Sequence, residues 1–456
     1  MKAVSTVMSS GSRFPLFKRR EGEEQPYIPF GPFKIRLPLV HYEWEWPEAL
    51  AAMFLGVACL GAGTSVATDV LGVPFELALT FALWNAIGYF LPAHLGDPVA
   101  PGWITPALPL VIAYLKQFAI GPTRTTALIA LQLSVAALFL IMGLTGMGKR
   151  LVDIVPASLR AGIIIGAGIA AAINVVDVRM KLAPITISLS CLIAFYFLFG
   201  KSFRALAQKS RFWYVIRNQG IVPAQLFAII AGPFIIRELA RPTIVWGITP
   251  FRPLEVMQKY TVFGLGFPSA DLFLQAIPLV LAVYIIAFGD FVLAQSIVND
   301  ASKVRPDEKI DFNANRSNLV SGLRNLMMAL FAPWAPLNGP LWASASLTIA
   351  ERYKWGIKTM YSIWGGFGTF RAATVIAVLI YPLICLIRPS FGIFFALTMA
   401  VQAFACGYIG INMAKNDIQK GIAVVVGTAL ALKGATWGLA LGLILHILLE
   451  KGPDAA

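Results

Sequence analysis

Residues 96–116, GDPVAPGWITPALPLVIAYLK, form an apolar stretch that proline interrupts too often for one continuous helix. Pro98, Pro101, Pro106 and Pro109 each lack a backbone N–H, and Pro101 followed by Gly102 favours an extended or turned chain. Helix is therefore expected only from about Thr105 to Leu115, half a membrane span. A second stretch of the same build lies at residues 336–354, PLNGPLWASASLTIAERYK. There Asn338, Gly339 and Pro340 make the break, and a short helix is expected to run to a basic end at Arg352 and Lys354. Both stretches carry a Pro/Gly break, then a tryptophan (Trp103, Trp342), then a hydroxyl two residues on (Thr105, Ser344). Paired, short, interrupted apolar segments at corresponding points of two halves point to the binding site of a secondary transporter. Non-helical backbone at membrane depth survives only inside protein or along a watery cavity. A half-helix starting there aims unpaired N–H groups and its positive dipole end into that cavity, which suits an anionic group. The alternative is two kinked packing helices, and the shared order of features argues against it.

Composition bounds the rest. With 58% hydrophobic and 13% charged residues over 456 positions and a mean hydropathy of +0.73, the chain reads as an all-α integral membrane protein without a separate soluble domain. The polar tail, residues 1–46, lacks the apolar core of a signal peptide and is expected to be a disordered cytoplasmic lead-in. Trp44 and Trp46 before the first span suit an interfacial anchor. Cys59, Cys191, Cys385 and Cys406 all fall in apolar spans and read as small hydrophobes. His41, His94 and His446 show no metal-ligand spacing, and no cofactor is implied. The net charge of +14 would suggest nucleic acid in a soluble protein; here topology explains it, and no nucleic-acid partner is expected.

Apolar segments of spanning length fall at 47–69, 73–94, the broken 98–115, 123–147, 155–176, 183–200 and 221–238, then at 270–297, 314–332, the broken 338–352, 365–387, 390–413, 417–433 and 435–450. That is seven plus seven, with the third member of each set broken. Because seven is odd, the halves must be inverted repeats. With both termini cytoplasmic, 24 of the 37 Lys and Arg residues fall in cytoplasmic segments and 10 in external ones, the bias expected of that orientation.

Asp290 lies inside the eighth segment, about two turns from its cytoplasmic end. A charge there is expensive, so it is expected to be a proton relay or a sodium ligand, with Arg324 as the structural alternative partner. Ala294, one turn on, would leave room beside it. Asp311 or Asn313 is expected to cap the next helix, whose Asn315, Asn318, Gly322 and Asn325 form one inward face.

Residues 311–325, DFNANRSNLVSGLRN, between an acid-bearing eighth span and a broken tenth, resemble the corresponding region of the sulfate permease and nucleobase–ascorbate (nucleobase:cation symporter-2) transporters. Residues 154–168, IVPASLRAGIIIGAG, are similar to the start of the family's fifth span. The resemblance implies a fourteen-helix fold. A core domain (47–150 and 266–388) would hold substrate between the broken segments and move as an elevator against a gate and dimerisation domain (151–265 and 389–456). By position, Asp290 matches the acid that handles H+ or Na+ in these relatives. Two departures matter. The tenth segment has no carboxylate before Glu351, where nucleobase symporters hold the base. Sulfate permeases append a C-terminal regulatory domain, which is not expected among the residues to Ala456.

The expected substrate-binding residues are Trp103, Thr105, Ala107, Trp342, Ser344 and Ser346. Large residues at Ala107 or Ala345 are expected to block the substrate without unfolding the protein. Two helix N-termini without an acid favour a small inorganic or carboxylate anion; the resemblance implies symport with H+ or Na+ by a homodimer, and a bacterial inner membrane is the expected setting. A nucleobase (uracil or xanthine type):proton symporter is the alternative, with Trp103 or Trp342 stacked on the base. No nucleophile–base pair suggests an enzyme.

Overall fold

The computed structural model describes residues 15–210, 212, 213, 216 and 221–450. The expectations for residues 1–14 and 451–456 lie outside them. From the N-terminal side the helices are α1 (Trp46–Leu71), α2 (Phe75–Leu95), α3 (Leu108–Leu115), α4 (Pro122–Thr145), α5 (Gly148–Ile154), α6 (Ala157–Ile173), α7 (Pro184–Phe199), α8 (Lys201–Lys209) and α9 (Val222–Ile230). Then come α10 (Pro253–Tyr260), α11 (Val262–Leu265), α12 (Ala270–Val304), α13 (Ala314–Phe331), α14 (Ala343–Lys354), α15 (Ile363–Leu379), α16 (Tyr381–Ile387), α17 (Phe391–Met413), α18 (Asp417–Lys433) and α19 (Ala435–Leu449). Among the described residues, six helices are long and apolar enough to cross a membrane: α1, α2, α4, α6 with its π-helical extension to Arg179, α12, and the run from Tyr381 to Met413. The pair α7 and α8, bent by 57° at Gly200, is a seventh if the two cross as one broken span.

The helices sort into two packed groups. In one, α1 lies against α15 and α4 against α13; in the other, α6 lies against α17 and α18. The second contact depends on residues without side chains. A Cβ on Gly166 would lie 2.8 Å from Gly427 O, and one on Gly427 2.9 Å from Gly166 N. Small residues one turn apart, Gly162 and Gly166, thus let two backbones touch where packing rather than hydrophobicity holds helices together. The expected inward face of α13 forms from Asn318, Gly322 and Asn325, which are buried; Asn315 is exposed. Of the two expected caps, Asn313 takes the role, accepting from the N–H groups of Asn315 and Arg316 at 2.9 and 3.1 Å. Asp311 instead binds Lys34 and Arg316.

Two expectations need correction. The expected break between spans near 388–390 falls at Ile380, from which the chain runs on helically to Met413. Pro382 sits in the first turn of α16, and the backbone groups freed at the break are caught by the loop before α10. Thr249 N–H donates to Leu379 O (3.0 Å), its hydroxyl to Val378 O (2.5 Å), and Tyr381 N–H to Gly247 O (3.3 Å). The second concerns the tail. Residues 15–45 are ordered, with a hairpin of β1 (Ile28–Phe30) and β2 (Phe33–Ile35). Paired charges hold them down: Arg19 to Asp307, Lys34 to Glu24 and Asp311, and Arg36 to Glu24. The tail's polarity does not reveal that its charges have half-buried partners, Asp307 and Asp311, in the 305–311 loop.

Candidate functional site

The broken segments meet. Gly102–Trp103 (β3) pairs antiparallel with Asn338–Gly339 (β4), in register Gly102↔Gly339 and Trp103↔Asn338. Flanking bonds extend the pairing: Ile104 N–H donates to Leu337 O (2.8 Å) and Trp342 N–H to Ala100 O (2.6 Å). The groups that proline and glycine free from helices therefore satisfy one another across the crossing. Gly102 is required there, since a Cβ would sit 2.6 Å from Leu341 O. From the crossing, a 3-10 turn at Thr105–Ala107 leads into α3, and Trp342 leads into α14.

A buried polar net backs the crossing. Arg324 of α13 donates to Gly339 O (2.8 Å), Gly102 O (3.3 Å) and Asn338 Oδ1 (2.9 Å). Asn325 exchanges bonds with the Asn338 backbone at 2.8 and 3.0 Å, and Asn85 of α2 donates to Asn338 Oδ1 (3.0 Å). Arg371 of α15 donates to Pro101 O and lies 4.3 Å from the Tyr89 ring and 5.2 Å from the Trp342 ring. Both guanidiniums are fully buried. Neither has an ion-pair partner among the described residues. Arg324 Nε and Arg371 Nε and Nη1 are buried without a hydrogen-bond acceptor. Arg371, Asn85 and Tyr89 were not singled out in the sequence; an arginine inside an apolar span is the signal that could have found Arg371.

The six nominated residues divide by exposure. Ser344 is exposed in the first turn of α14, while Thr105 and Trp342 are half-buried. Trp103 is buried, its indole N–H on Asn85 Oδ1 (3.3 Å) and its ring edge-on to Trp334. Ser346 is buried too: its hydroxyl accepts from Ala100 N–H (3.0 Å) and donates to Ala100 O (3.3 Å), tying one broken segment to the other. Ala107 and Ala345 are 0% and 4% exposed. Large residues there would overpack rather than merely obstruct a cavity, contrary to expectation.

Asp290 lies half-buried on α12, and Ala294, one turn on, is buried. The alternative pairing with Arg324 is not formed among the described residues, because the Arg324 guanidinium is spent on the crossing. No hydrogen bond or ion pair holds the Asp290 carboxylate among the described residues.

No family model matches the chain, and no curated protein matches it in sequence. Solved structures do. A structure of SLC26A9 aligns with a TM-score of 0.53 at 14% identity, over 89% of this chain and 65% of that one. Murine solute carrier 26 family member A9, an anion transporter in the inward-facing state, aligns at 0.53 and 13% identity, over 90% and 69%. The transmembrane domain of a cyanobacterium bicarbonate transporter, BicA, aligns at 0.48 and 14% identity, over 88% and 99%. At these identities the likeness is one of fold. The chain is an integral membrane protein that shares its fold with membrane transporters of the solute carrier 26 type.

Proposed function

We propose that the chain is a secondary active transporter of a small anion, with the substrate held where the two broken segments cross. The observation that carries this reading is the pair of buried guanidiniums, Arg324 and Arg371, placed behind two short helices that start at one crossing, with no carboxylate paired to either among the described residues. Two cations and two helix N-termini make a positive field in a low-dielectric place, and a small inorganic or carboxylate anion is what that field attracts. The anion would approach past Ser344, Thr105 and Trp342, the accessible members of the site.

Arginines 324 and 371 belong to the group built on α1, α2, α4, α12, α13 and α15, which would be the core domain. The group of α6, α7, α17, α18 and α19 would be the gate and the surface of a homodimer. The fourteen-span inverted-repeat arrangement, elevator movement and H+ or Na+ coupling through Asp290 all belong to this proposal, as does an inner-membrane setting with cytoplasmic termini. A nucleobase:proton symporter is the second reading, favoured by the half-exposed Trp342 ring, on which a planar base could stack.

Uptake into proteoliposomes tests both. Saturable, cation-gradient-dependent uptake competed by bicarbonate, sulfate or dicarboxylates supports the anion carrier. Competition by uracil or xanthine alone, or flux that neither saturates nor follows a cation gradient, overturns it.

A further inference from the structure

A cationic cavity lies apart from the crossing, at the C-terminal end of α1. It has a volume of about 470 Å³ and is lined by Ser65, Thr68 and Asp69 of α1, Arg179 and Lys181 beyond α6, and Arg388 before α17, with apolar side chains between them. Its charges do not cancel. Arg179 holds Asp69 at 2.5 Å, whereas Lys181 and Arg388, both exposed, have no ion-pair partner among the described residues. Arg388 instead stacks 3.8 Å over the Phe75 ring, which fixes the guanidinium at the cavity wall.

Arg179 is the buried part of the cavity wall. It is 5% exposed, its plane lies 4.5 Å over the Phe395 ring, and its Nε is buried without an acceptor. A buried guanidinium with an unused N–H is costly to leave so. It forms the back of the wall, next to two further cations and the Ser65 hydroxyl; the Thr68 hydroxyl already donates to Ser65 O (3.0 Å). An oxyanion fits this lining: it takes charge-assisted bonds from Lys181 and Arg388 and accepts from Ser65. With Arg179 neutralised by Asp69, the remaining charge is that of two cations.

We propose that this cavity is a separate binding site for a small divalent oxyanion, of the sulfate or short dicarboxylate class. Its walls come from both helix groups, α1 and α2 on one side and the π-helical end of α6 with α17 on the other, so a bound dianion bridges them. The site stands without the transport reading, since binding here needs no substrate at the crossing.

The test is calorimetric titration of sodium sulfate, against sodium chloride at equal ionic strength, into the full chain in lipid nanodiscs. It is done in a Ser344→Trp background, which obstructs the crossing. Saturable sulfate binding is expected there. Adding Lys181→Gln and Arg388→Gln, both exposed and harmless to folding, is expected to weaken it at least tenfold, whereas the charge-conserving Lys181→Arg and Arg388→Lys keep it. Absence of saturable binding in the Ser344→Trp protein overturns the proposal, and so does unchanged binding in the glutamine variant. If binding behaves as expected while uptake assays fail, the transport reading falls and this site stands.

Discussion

Arg324 Nη2 and Asn338 Oδ1 lie 2.9 Å apart, and the same guanidinium reaches Gly339 O at 2.8 Å and Gly102 O at 3.3 Å. One side chain on α13 therefore clamps both broken segments, at the only place where they run as paired strands among the described residues. Removing it leaves two carbonyls and an amide oxygen buried with fewer donors. Arg324→Leu is expected to destabilise the protein by about 3–5 kcal/mol, the cost of breaking a buried polar network from one side. Thermal unfolding in detergent checks it. Arg324→Lys is expected to recover only part of the loss, since an ammonium cannot reproduce a planar fork of donors.

The crossing makes a steric prediction as well. A methyl group at Gly102 would stand 2.6 Å from Leu341 O and 3.0 Å from its carbonyl carbon. These are backbone atoms, which cannot turn aside as a side chain could. Gly102→Ala is expected to push the strands apart and abolish uptake, whereas alanine at Gly421, where a Cβ meets nothing within 4 Å, leaves both stability and uptake intact.

How far the sequence led can be judged at these residues. Proline and glycine spacing located both breaks, because a missing N–H is a local fact about the chain. The Trp–hydroxyl order within them was also local, and it does not tell that Trp103 and Ser346 brace the crossing while Ser344 stays open. The difference lies in which way each residue faces after the strands pair, a long-range property that period and propensity do not contain. The same holds for Arg324. Its burial could be foreseen from its place in a span, but its partners are the carbonyls of two breaks, one of them 222 residues away. The tail failed for a related reason, since polar composition does not reveal that Asp307 and Asp311 wait for Arg19 and Lys34.

Ser344 is the residue at which the site can be blocked without disturbing the packing. It is exposed in the first turn of α14, and its hydroxyl holds no bond among those found for Ser346. Ser344→Trp is expected to shift the melting temperature little and to reduce uptake at least tenfold. A variant that transports normally would remove the crossing from the substrate path.

Glu45 gives a pH dependence. Burial pushes its carboxyl up to about 7, against the opposing pull of Arg352. The guanidinium of Arg352 serves two carboxylates, Glu45 at 2.6 Å and Glu48 at 2.5 Å, and cannot neutralise both. A carboxyl whose folded pKa lies above its unfolded value of 4.5 binds its proton more tightly when folded. Its contribution to stability therefore grows as pH falls from above 7 towards 4.5. His41, held below its usual 6.5 by burial and then by Arg36, acts in the opposite sense, so the wild-type curve alone does not isolate Glu45. The difference between wild type and Glu45→Gln does: melting temperatures from pH 8 to pH 5 are expected to rise more in the wild type. Parallel curves would show that Glu45 stays ionised throughout.

Asp290 decides whether the proposed transport is coupled. The carboxylate is half-buried in α12 and unpaired among the described residues. With Arg324 committed to the crossing, the coupling proposed above would give it a proton or a sodium ion as its partner. These make opposite forecasts for Asp290→Asn. If the residue carries a proton, the amide mimics the loaded state, so gradient-driven uptake is lost while anion exchange across the membrane survives. If it holds sodium, the loss of charge weakens sodium and anion affinity by the same factor, because linked binding is reciprocal. Counterflow assays with and without a sodium gradient separate the two. Concentrative uptake by Asp290→Asn equal to wild type would remove Asp290 from coupling altogether.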